Sequence, residues 1–406
     1  MDRIVITGLG IVSAIGIGKE EFWGNALKGK CGTSKVTSFD TSAFENHNGG
    51  EIKDFDPGSF LNDEDVSKHD RASILAIIGS KLAVEDAGIE LPGKSPERIG
   101  VSMGTTMGGI QALEQIDRMR LSKNQSSIPA SLYWQYSSST IPASVARYLG
   151  ISGPNIILPN ACAAGNFAIG HAFDMLRSNR ADLMLAGGTD CFSWIPFTGF
   201  NRVGAMSDDV VRPFDANSKG MMLGEGAAML VLEPLKSALK REATIYAEIM
   251  GYGISSDAHH ITAPHPDSRG LIAAMNAALK NASLEPNQID SVIAHGTGTP
   301  SNDYAELQAL TKVFNGRHQD LPVTSIKSMI GHSLGASSAI EALTNALVVY
   351  NNRIPPTINY NTPHPNFNVG IVANNYKEKN VQYGMNNALA FGGNNSSLIL
   401  GKYAGE

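Results

Sequence analysis

The chain has 406 residues, of which 42% are hydrophobic and 17% charged, and its formal net charge is −6. This length suits two lobes with a sizeable core, the acidic balance argues against nucleic-acid binding, and no apolar run reaches the ~20 residues of a membrane span. Three cysteines and a first segment without a signal-peptide pattern predict free thiols and a cytoplasmic location.

The apolar pattern predicts strands that alternate with helices, and these strands tend to end in glycine. The first strand runs from Arg3 to Gly10, and its glycine pair is a weak dinucleotide-binding signal because Ser13 stands where a third glycine belongs. A helical pattern covers residues 63–87, and a second buried strand, residues 98–104, ends in another glycine turn. Such alternation is typical of an α/β fold with a buried sheet.

The residues around Cys162 predict a sharp turn between a strand and a helix. Apolar residues 156–158 precede the turn, and apolar residues recur at helical spacing from Phe167 to Leu176. The first N–H groups of a helix lack intrahelical partners, so their dipoles favour thiolate over thiol and can hold an oxyanion beside the sulfur. A lone cysteine is more often a buried structural residue, but this position predicts a nucleophile.

The second half of the chain repeats the order of elements predicted for the first half. Its segments are a strand over 245–253, a strand and turn over 291–299, a strand over 323–330 with a helix over 334–350, and a strand and glycine turn over 388–394. This common order predicts an internal duplication, with halves 1–245 and 246–406. Because ligands of α/β folds gather at the carboxyl ends of strands, we expect Cys162, His295, His332 and Phe391 to meet.

Three segments carry a family resemblance: residues 160–165 (NACAAG), 295–300 (HGTGTP) and 327–332 (KSMIGH). They resemble the three active-site motifs of β-ketoacyl-[acyl carrier protein] synthases, and residues 212–215, 224–226 and 391–394 resemble further signatures of that family. The similarity covers essentially the whole chain and is closest to the elongating Cys-His-His type. It implies a thiolase-like fold, internally duplicated and layered α-β-α-β-α, and decarboxylative Claisen condensation on carrier-protein thioesters.

The resemblance also assigns roles at the reacting centre. Cys162 would take the growing acyl group, since a thiolate is both a nucleophile and a leaving group. His295 and His332 would stabilise the enolate that a malonyl thioester forms on losing CO2, and neutral imidazoles can do this because each ring keeps one donor. The oxyanion hole and gate would comprise Cys162, Phe391 and Gly392, with the backbone N–H groups of Cys162 and Phe391 as donors.

Further residues are assigned supporting roles by the same resemblance. Lys327 and Glu306 would form a charged network that orients the histidines, with Asp303 as another acidic residue nearby; a solvated lysine at a strand end is the alternative for Lys327. Thr297 and Thr299 would bind the pantetheine arm, and Thr262 would lie at the mouth of its tunnel. The remaining substrate-binding residues would be Met107 and Phe200, which line the acyl pocket, and the gating Phe391.

The resemblance implies no bound cofactor, because the substrates travel on the 4′-phosphopantetheine arm of acyl carrier protein. It implies a homodimer, or a heterodimer with a chain-length-factor-like sister subunit. An acidic carrier protein is expected to dock by charge complementarity, although an ordinary solvated face would look the same. The candidate docking residues are Lys68, Arg71, Arg118, Arg120 and Lys123.

Two other chemistries compete with this interpretation. Residues 331–335 fit the G-x-S-x-G elbow of serine esterases with Ser333 as nucleophile, but no Asp follows it and His364 is the one remaining base. A histidine-rich loop suggests a metal site, although its spacing matches no standard zinc pattern. Its candidate ligands are Asp257, His259, His260, His265 and Asp267.

Two alternatives lie within the family. A non-catalytic partner subunit would lack the active cysteine, so Cys162 favours the catalytic member. The residues 301–303 and 325–335 resemble aromatic polyketide ketosynthases more than fatty acid enzymes. We therefore favour the ketosynthase of a specialised type II polyketide pathway, and housekeeping fatty acid elongation is the alternative.

Overall fold

The computed structural model describes residues 2–122 and 128–405. The first half contains β1 (Ile4–Ser13), β2 (Gly16–Ile17), α1 (Lys19–Leu27), β3 (Ser34–Lys35), β4 (Asn48–Gly49), α2 (Asp63–Lys68), α3 (Arg71–Ala87), β5 (Ile99–Gly104), α4 (Ile110–Leu121), α5 (Ala130–Tyr136), α6 (Thr140–Leu149), β6 (Asn155–Leu158), α7 (Ala164–Arg177), β7 (Leu183–Asp190), α8 (Trp194–Arg202), β8 (Gly226–Pro234) and α9 (Leu235–Lys240).

The second half contains β9 (Ala247–Ser256), α10 (Arg269–Ala282), β10 (Ser291–Ile293), α11 (Pro300–Val313), β11 (Val323–Thr324), α12 (Lys327–Ile330), α13 (Ser337–Asn351), β12 (Arg353–Ile354), β13 (Lys377–Glu378), β14 (Tyr383–Ala390) and β15 (Asn394–Gly401). Short 3₁₀ turns include Ala161–Ala163, Leu334–Ala336 and Phe391–Gly393. The predicted boundary after residue 245 falls between α9 and β9.

The sheet order repeats between the halves and confirms the predicted duplication. The first half follows β6-β5-β7-β8-β1 and the second half follows β11-β10-β14-β15-β9, so equivalent strands occupy equivalent places. The halves join where β1 and β9 pair antiparallel over two residue pairs, Val5 with Glu248 and Ile6 with Ala247. The flanking pairs β5–β6 and β10–β11 are parallel.

Five layers result from how the helices cover these strands. Helix α7 packs on β5 and β7 of its own half and on β15, while α13 packs on β14 and on β8, so both helices lie between the two halves of the sheet. Helix α3 covers the outer face of β1 and β8, and helix α10 covers the outer face of β9 and β15. The α-β-α-β-α layering is therefore as predicted.

Small and apolar residues allow α7 and α13 to share this inner layer. Almost every residue of α13 is buried, as expected of a helix enclosed on all sides. A Cβ added at Gly165 of α7 would lie only 2.5 Å from the backbone N of Ala339 in α13. Glycine at this position therefore sets the distance at which the two central helices meet, just after Cys162.

Two predicted elements differ in the structure. The pattern over residues 63–87 is broken into α2 and α3, because the Asp70 carboxylate accepts the N–H of Ala72 and caps a new helix. The strand predicted over 323–330 stops at Thr324, since Ser325 donates its N–H to Thr357 and its hydroxyl to Gly296 in place of ladder bonds. Among the described residues, no helix has the length and apolarity to cross a bilayer.

Candidate active site

Turns that follow β6, β10 and α12 bring one thiol and two imidazoles into a single buried group. The Cys162 Sγ lies 3.0 Å from Nε2 of His332, and the rings of His295 and His332 stand 5.4 Å apart at 85°. One ligand atom from each of the three residues falls within 4.8 Å of the others. The structure therefore joins residues from both halves that the sequence separates by up to 170 positions.

The turn that carries Cys162 is tight and strained. Ala161 has φ +48°, a left-handed conformation that costs free energy for a residue other than glycine. A 3₁₀ turn over Ala161–Ala163 then leads into α7. The second half repeats this geometry at Leu334, which has φ +51° and begins the 3₁₀ turn that leads into α13. The predicted strand–turn–helix arrangement is thus present in duplicate.

The electrostatics of Cys162 differ from the sequence-based expectation of a stabilised thiolate. Burial raises the pKa of the Cys162 thiol to about 12, against a smaller lowering by the Lys327 ammonium. Burial likewise lowers the pKa of His295 and of His332 well below the ordinary imidazole value. The cost of desolvating the thiolate exceeds its stabilisation by the helix N–H groups, because Cys162 lies in the enclosed 3₁₀ turn that precedes α7. Burial therefore favours the neutral thiol and the neutral imidazoles over their charged forms.

Lys327 lies behind His295 and is fully buried, which excludes the solvated alternative. Its ammonium donates to the His295 carbonyl at 2.6 Å, lies 3.2 Å from His295 Nδ1, and forms an ion pair with Glu341. The expected partner was Glu306, so Glu341 replaces it as the contacting carboxylate. An ammonium can only donate, so it assigns the acceptor role to Nδ1 and leaves the ring proton of His295 on Nε2.

Glu306 and Asp303 instead hold the turn that presents His295. The Glu306 carboxylate accepts the N–H groups of His295 at 2.9 Å and Gly296 at 2.7 Å. Asp303 accepts the N–H of Gly298 at 3.1 Å. Burial raises the pKa of Glu306 to about 7 and that of Asp303 to about 6, against the lowering by these hydrogen bonds. Both residues therefore support the backbone rather than contact the Lys327 ammonium.

The backbone and ring of His332 are anchored from two sides. Its N–H donates to the Met222 carbonyl at 2.7 Å, and its carbonyl accepts the N–H of Gly224 at 2.9 Å. Its Nδ1 lies 2.8 Å from the hydroxyl of Ser337, the first residue of α13. Sequence reasoning missed the roles of both Ser337 and Glu341. The feature of the sequence that could have indicated them is a carboxylate and several hydroxyls inside an otherwise apolar predicted helix.

The thiol and the imidazoles have the spacing of a metal group but not its protonation. A metal ligand must offer a free lone pair, whereas the ammonium at His295 Nδ1 keeps the ring proton on Nε2. This donor set fits hydrogen bonding to a developing oxyanion better than it fits a cation.

The histidine-rich loop is organised by its own turns. His260 Nδ1 accepts the N–H of Thr262 at 3.1 Å, and His265 Nδ1 accepts that of Asp267 at 3.1 Å. Within the part of the chain that the structure describes, this loop forms no group of three metal-ligating side chains. The metal hypothesis therefore gains no support from the structure.

A cavity of about 300 Å³ leads from the surface to this group. Its lining includes Cys162, His295, His332, Phe200, Lys219, Thr262, Thr297, Thr299 and Phe391. The rings of Phe200 and Phe391 lie 5.7 Å apart on its wall. Met107 packs in the apolar cluster that contains Phe192, Leu334 and the cavity-lining Phe200.

The turn that begins at Phe391 is hydrogen-bonded to the loop that carries Thr262. Gly392 and Gly393 adopt φ +83° and +75°, which allows the chain to reverse after β14. The N–H of Gly392 donates to the Ile261 carbonyl at 2.8 Å, so it cannot also serve an oxyanion hole in this conformation. The Gly392 N–H therefore ties the turn to the Thr262 loop, and the place of Gly392 in the gate stays a prediction.

The predicted docking residues occupy different environments. The Arg71 guanidinium donates to both oxygens of the buried Glu225 carboxylate, at 2.8 and 2.6 Å, and this structural pair argues against a docking role. Lys68 pairs with a neighbouring carboxylate on α2, and the side chains of Arg118 and Arg120 are 69% and 57% exposed. Lys123 lies outside the described residues. Sequence reasoning missed Lys219, which reaches the rim of the cavity itself.

The alternative nucleophile lies outside the cavity. The Ser333 side chain is fully buried, and its hydroxyl donates to the Glu225 carbonyl at 3.3 Å. His364, the base that an esterase would need, packs instead against Tyr304 and Phe367. The elbow pattern at residues 331–335 therefore has no nucleophile–base pair.

A duplicated five-layer α/β fold with a thiol and two imidazoles at its strand ends defines the thiolase-like condensing enzymes. Residues 1–238 match the model "Beta-ketoacyl synthase, N-terminal domain" and residues 246–361 match "Beta-ketoacyl synthase, C-terminal domain". The chain belongs to the beta-ketoacyl synthase family. It is an acyltransferase that forms carbon–carbon bonds by ketosynthase condensation.

Known proteins similar to this chain come from both branches of the family. It is 38% identical over 407 residues to 3-oxoacyl-[acyl-carrier-protein] synthase 2 of Staphylococcus aureus (strain N315), covering 99% of this chain and 98% of that protein. The ishigamide ketosynthase/chain length factor superposes with a TM-score of 0.96 at 36% identity, covering 99% and 100% of the two chains. A type II PKS acyl-carrier protein in complex with its ketosynthase gives a TM-score of 0.91 at 28% identity, covering 99% of each chain.

Proposed function

We propose that the chain condenses an acyl group held on Cys162 with malonyl-[acyl carrier protein] and so lengthens a chain by two carbons. The observation that carries this assignment is the buried group in which Cys162 Sγ and nitrogens of His295 and His332 lie within 4.8 Å of one another. A thiol can accept an acyl group and later leave, and two N–H donors suit the oxyanion of an enolate. The reaction involves no redox change, so it calls for no redox cofactor.

In the first half-reaction, Cys162 takes the acyl group from its carrier. The thiol proton moves to His332 Nε2, 3.0 Å away, as Sγ bonds to the thioester carbonyl carbon. The resemblance assigns the oxyanion to the backbone N–H groups of Cys162 and Phe391. Collapse of the tetrahedral intermediate breaks the bond to the carrier thiolate, which leaves with the proton returned by His332.

In the second half-reaction, the malonyl thioester presents its carbonyl oxygen to Nε2–H of His295 and of His332. The bond to its carboxylate breaks, CO2 leaves, and the electron pair forms an enolate that these donors stabilise. The enolate carbon then attacks the acyl carbonyl on Cys162, the carbon–sulfur bond breaks, and the thiolate takes up one proton from the solvent. Lys327 supports this step, because its ammonium holds His295 in the donating tautomer.

The cavity fits a pantetheine arm with its reactive end at Cys162. Thr262, Thr297 and Thr299 line the cavity and supply hydroxyls for the amide groups of the arm. Lys219 on its rim is placed to meet the phosphate of the arm or an acidic residue of the carrier. We place the rest of the carrier interface on the exposed cations of Lys68, Arg118 and Arg120.

We favour a specialised type II polyketide pathway over housekeeping fatty acid elongation. The similarity to the ishigamide ketosynthase/chain length factor supports this choice, at a TM-score of 0.96 and 36% identity. The similarity to 3-oxoacyl-[acyl-carrier-protein] synthase 2, at 38% identity, keeps fatty acid elongation as the second candidate.

An exposed free thiol at Cys31 suits the reducing cytoplasm, where we place the enzyme.

We further propose that the chain pairs through the outer strand β6, as a homodimer or with a chain-length-factor-like sister subunit. Strand β6 ends the sheet order, so its free edge can pair with a second chain. On α5, Tyr133, Trp134 and Tyr136 expose 47%, 73% and 44% of their surfaces. Exposed aromatic groups of this kind mark protein contacts in soluble chains.

The test combines the purified protein with malonyl-loaded and acyl-loaded carrier proteins from both pathway types. We expect an acyl adduct on Cys162 by intact mass spectrometry and a product longer by two carbons, and neither with the Cys162→Ser variant. Neither adduct nor elongation would favour the non-catalytic alternative, an adduct without elongation would contradict the condensation step, and full turnover by Cys162→Ser would overturn the assignment. The carrier with the higher kcat/KM identifies the pathway.

A further inference from the structure

The two active-site imidazoles are held by groups of different hydrogen-bonding capacity. His295 Nδ1 faces the Lys327 ammonium at 3.2 Å, and an ammonium offers donors only. His332 Nδ1 faces the Ser337 hydroxyl at 2.8 Å, and a hydroxyl both donates and accepts. His295 is therefore confined to one tautomer, whereas both tautomers of His332 keep a satisfied Nδ1.

The proposed reaction requires each of the two tautomers of His332 at a different step. During acyl transfer, Nε2 must offer its lone pair to the thiol proton of Cys162, 3.0 Å away, which requires the ring proton on Nδ1. During decarboxylation, Nε2 must carry the proton and donate to the thioester oxygen, so Nδ1 must accept. The Ser337 hydroxyl satisfies the first state by accepting and the second by donating.

We propose that Ser337 is a positioning residue that lets His332 alternate between a proton-accepting and a proton-donating tautomer. Its side chain is 2% exposed, so bulk water does not compete for the ring nitrogen. It begins α13, whose Glu341 pairs with Lys327, so this helix contacts His332 directly and supports His295 through Lys327. The decarboxylation part of this inference rests on the proposed function; the response of His332 to the thiol does not.

The direct readout is the imidazole nitrogen spectrum of the full-length protein labelled with ¹⁵N-histidine, with the His332 signals assigned by their loss in a His332→Gln variant. In the free enzyme, we expect His332 as the Nδ1–H tautomer, because an imidazole nitrogen is a better acceptor than a thiol sulfur. Alkylation of Cys162 with iodoacetamide removes the S–H donor, and we expect His332 to move to the Nε2–H tautomer. His295 should show the Nε2–H tautomer before and after alkylation.

The variant Ser337→Ala should abolish this response and lower condensation about 10- to 100-fold, the usual loss when the group that orients a working imidazole is removed. Ser337→Thr keeps the hydroxyl and should restore both readouts. The matched control is Ser338→Ala, which removes an equally buried hydroxyl one residue along α13 that accepts the N–H of Asn166 at 3.1 Å. That control should retain the tautomer response.

A tautomer response in Ser337→Ala equal to the parent's, or parental turnover in that variant, would overturn the inference. So would an active parent enzyme whose His332 keeps one tautomer after alkylation. The failures are separable: a parent protein that shows the tautomer response but condenses no carrier-bound substrate contradicts the proposed function alone.

Discussion

Replacement of Lys327 by methionine tests whether the buried ammonium acts on catalysis through His295 or only supports the fold. Its side chain and that of Glu341 are each 1% exposed, so the two charges compensate each other away from water. Removing one member of a buried ion pair costs about 3–5 kcal/mol of stability, because the other charge is left buried and unpaired. The neutral methionine also leaves Nδ1 of His295 without its donor, which frees the ring proton to leave Nε2.

The second variant, Lys327→Met combined with Glu341→Gln, separates these effects. It replaces the ion pair by neutral groups of similar volume, and such replacements are often neutral in stability. We therefore expect most of the lost unfolding free energy to return. Activity should not return, because His295 still lacks the ammonium; loss of one oxyanion donor corresponds to about 10²–10³ in rate, or about 2.7–4 kcal/mol.

The assay compares CO2 release from malonyl-[acyl carrier protein] with the thermal unfolding of both variants. A double variant as stable as the parent and about 10²-fold slower supports the positioning role of Lys327. A double variant that recovers rate together with stability would refute the reasoning, because the ammonium would then serve the fold alone.

Three further outcomes follow from the geometry. Since burial raises the pKa of Cys162 to about 12, its alkylation by iodoacetamide should rise about tenfold per pH unit from about pH 7 to 9; a plateau below pH 8 would contradict the buried-thiol state. Trp134→Glu places a charge among the exposed aromatic residues and should shift the dimer toward monomer in light scattering, whereas an unchanged mass would place the interface elsewhere. Gly165→Ala brings a Cβ to 2.5 Å from Ala339 and should cost about 1–3 kcal/mol, while the control Gly24→Ala, with open space around it, should lose none; equal melting temperatures would contradict the close helix contact.

The sequence was most informative where function follows from a local turn. The apolar run before Cys162 and the helical spacing after it sufficed to predict a strand–turn–helix. The common order of elements in the two halves sufficed to place His295 and His332 with it, because strand ends of duplicated α/β units converge. Turns with left-handed residues, Ala161 and Leu334, then mark equivalent positions in both halves.

The sequence pattern could not predict which charged residues, far apart along the chain, form ion pairs with each other. The ion pair of Lys327 joins a short helix to the middle of α13, and no spacing rule distinguishes Glu341 from Glu306 as its partner. Similarly, the sequence suggests that Arg71 is a surface cation, yet its guanidinium is hydrogen-bonded to Glu225, which lies 154 residues away in the chain. Such choices depend on which side chains are enclosed together, a property of the assembled core.

The error about the Cys162 thiolate has the same origin and changes how the enzyme must work. Helix dipoles favour a thiolate by about 0.3–1 kcal/mol at exposed sites, whereas desolvation of a fully enclosed thiol shifts its ionisation by several times more. Where burial favours the neutral thiol, attack through a preformed anion is disfavoured. The proton must leave as the acyl donor arrives, so the group that receives it, His332, and the group behind it, Ser337, control when Cys162 becomes a nucleophile.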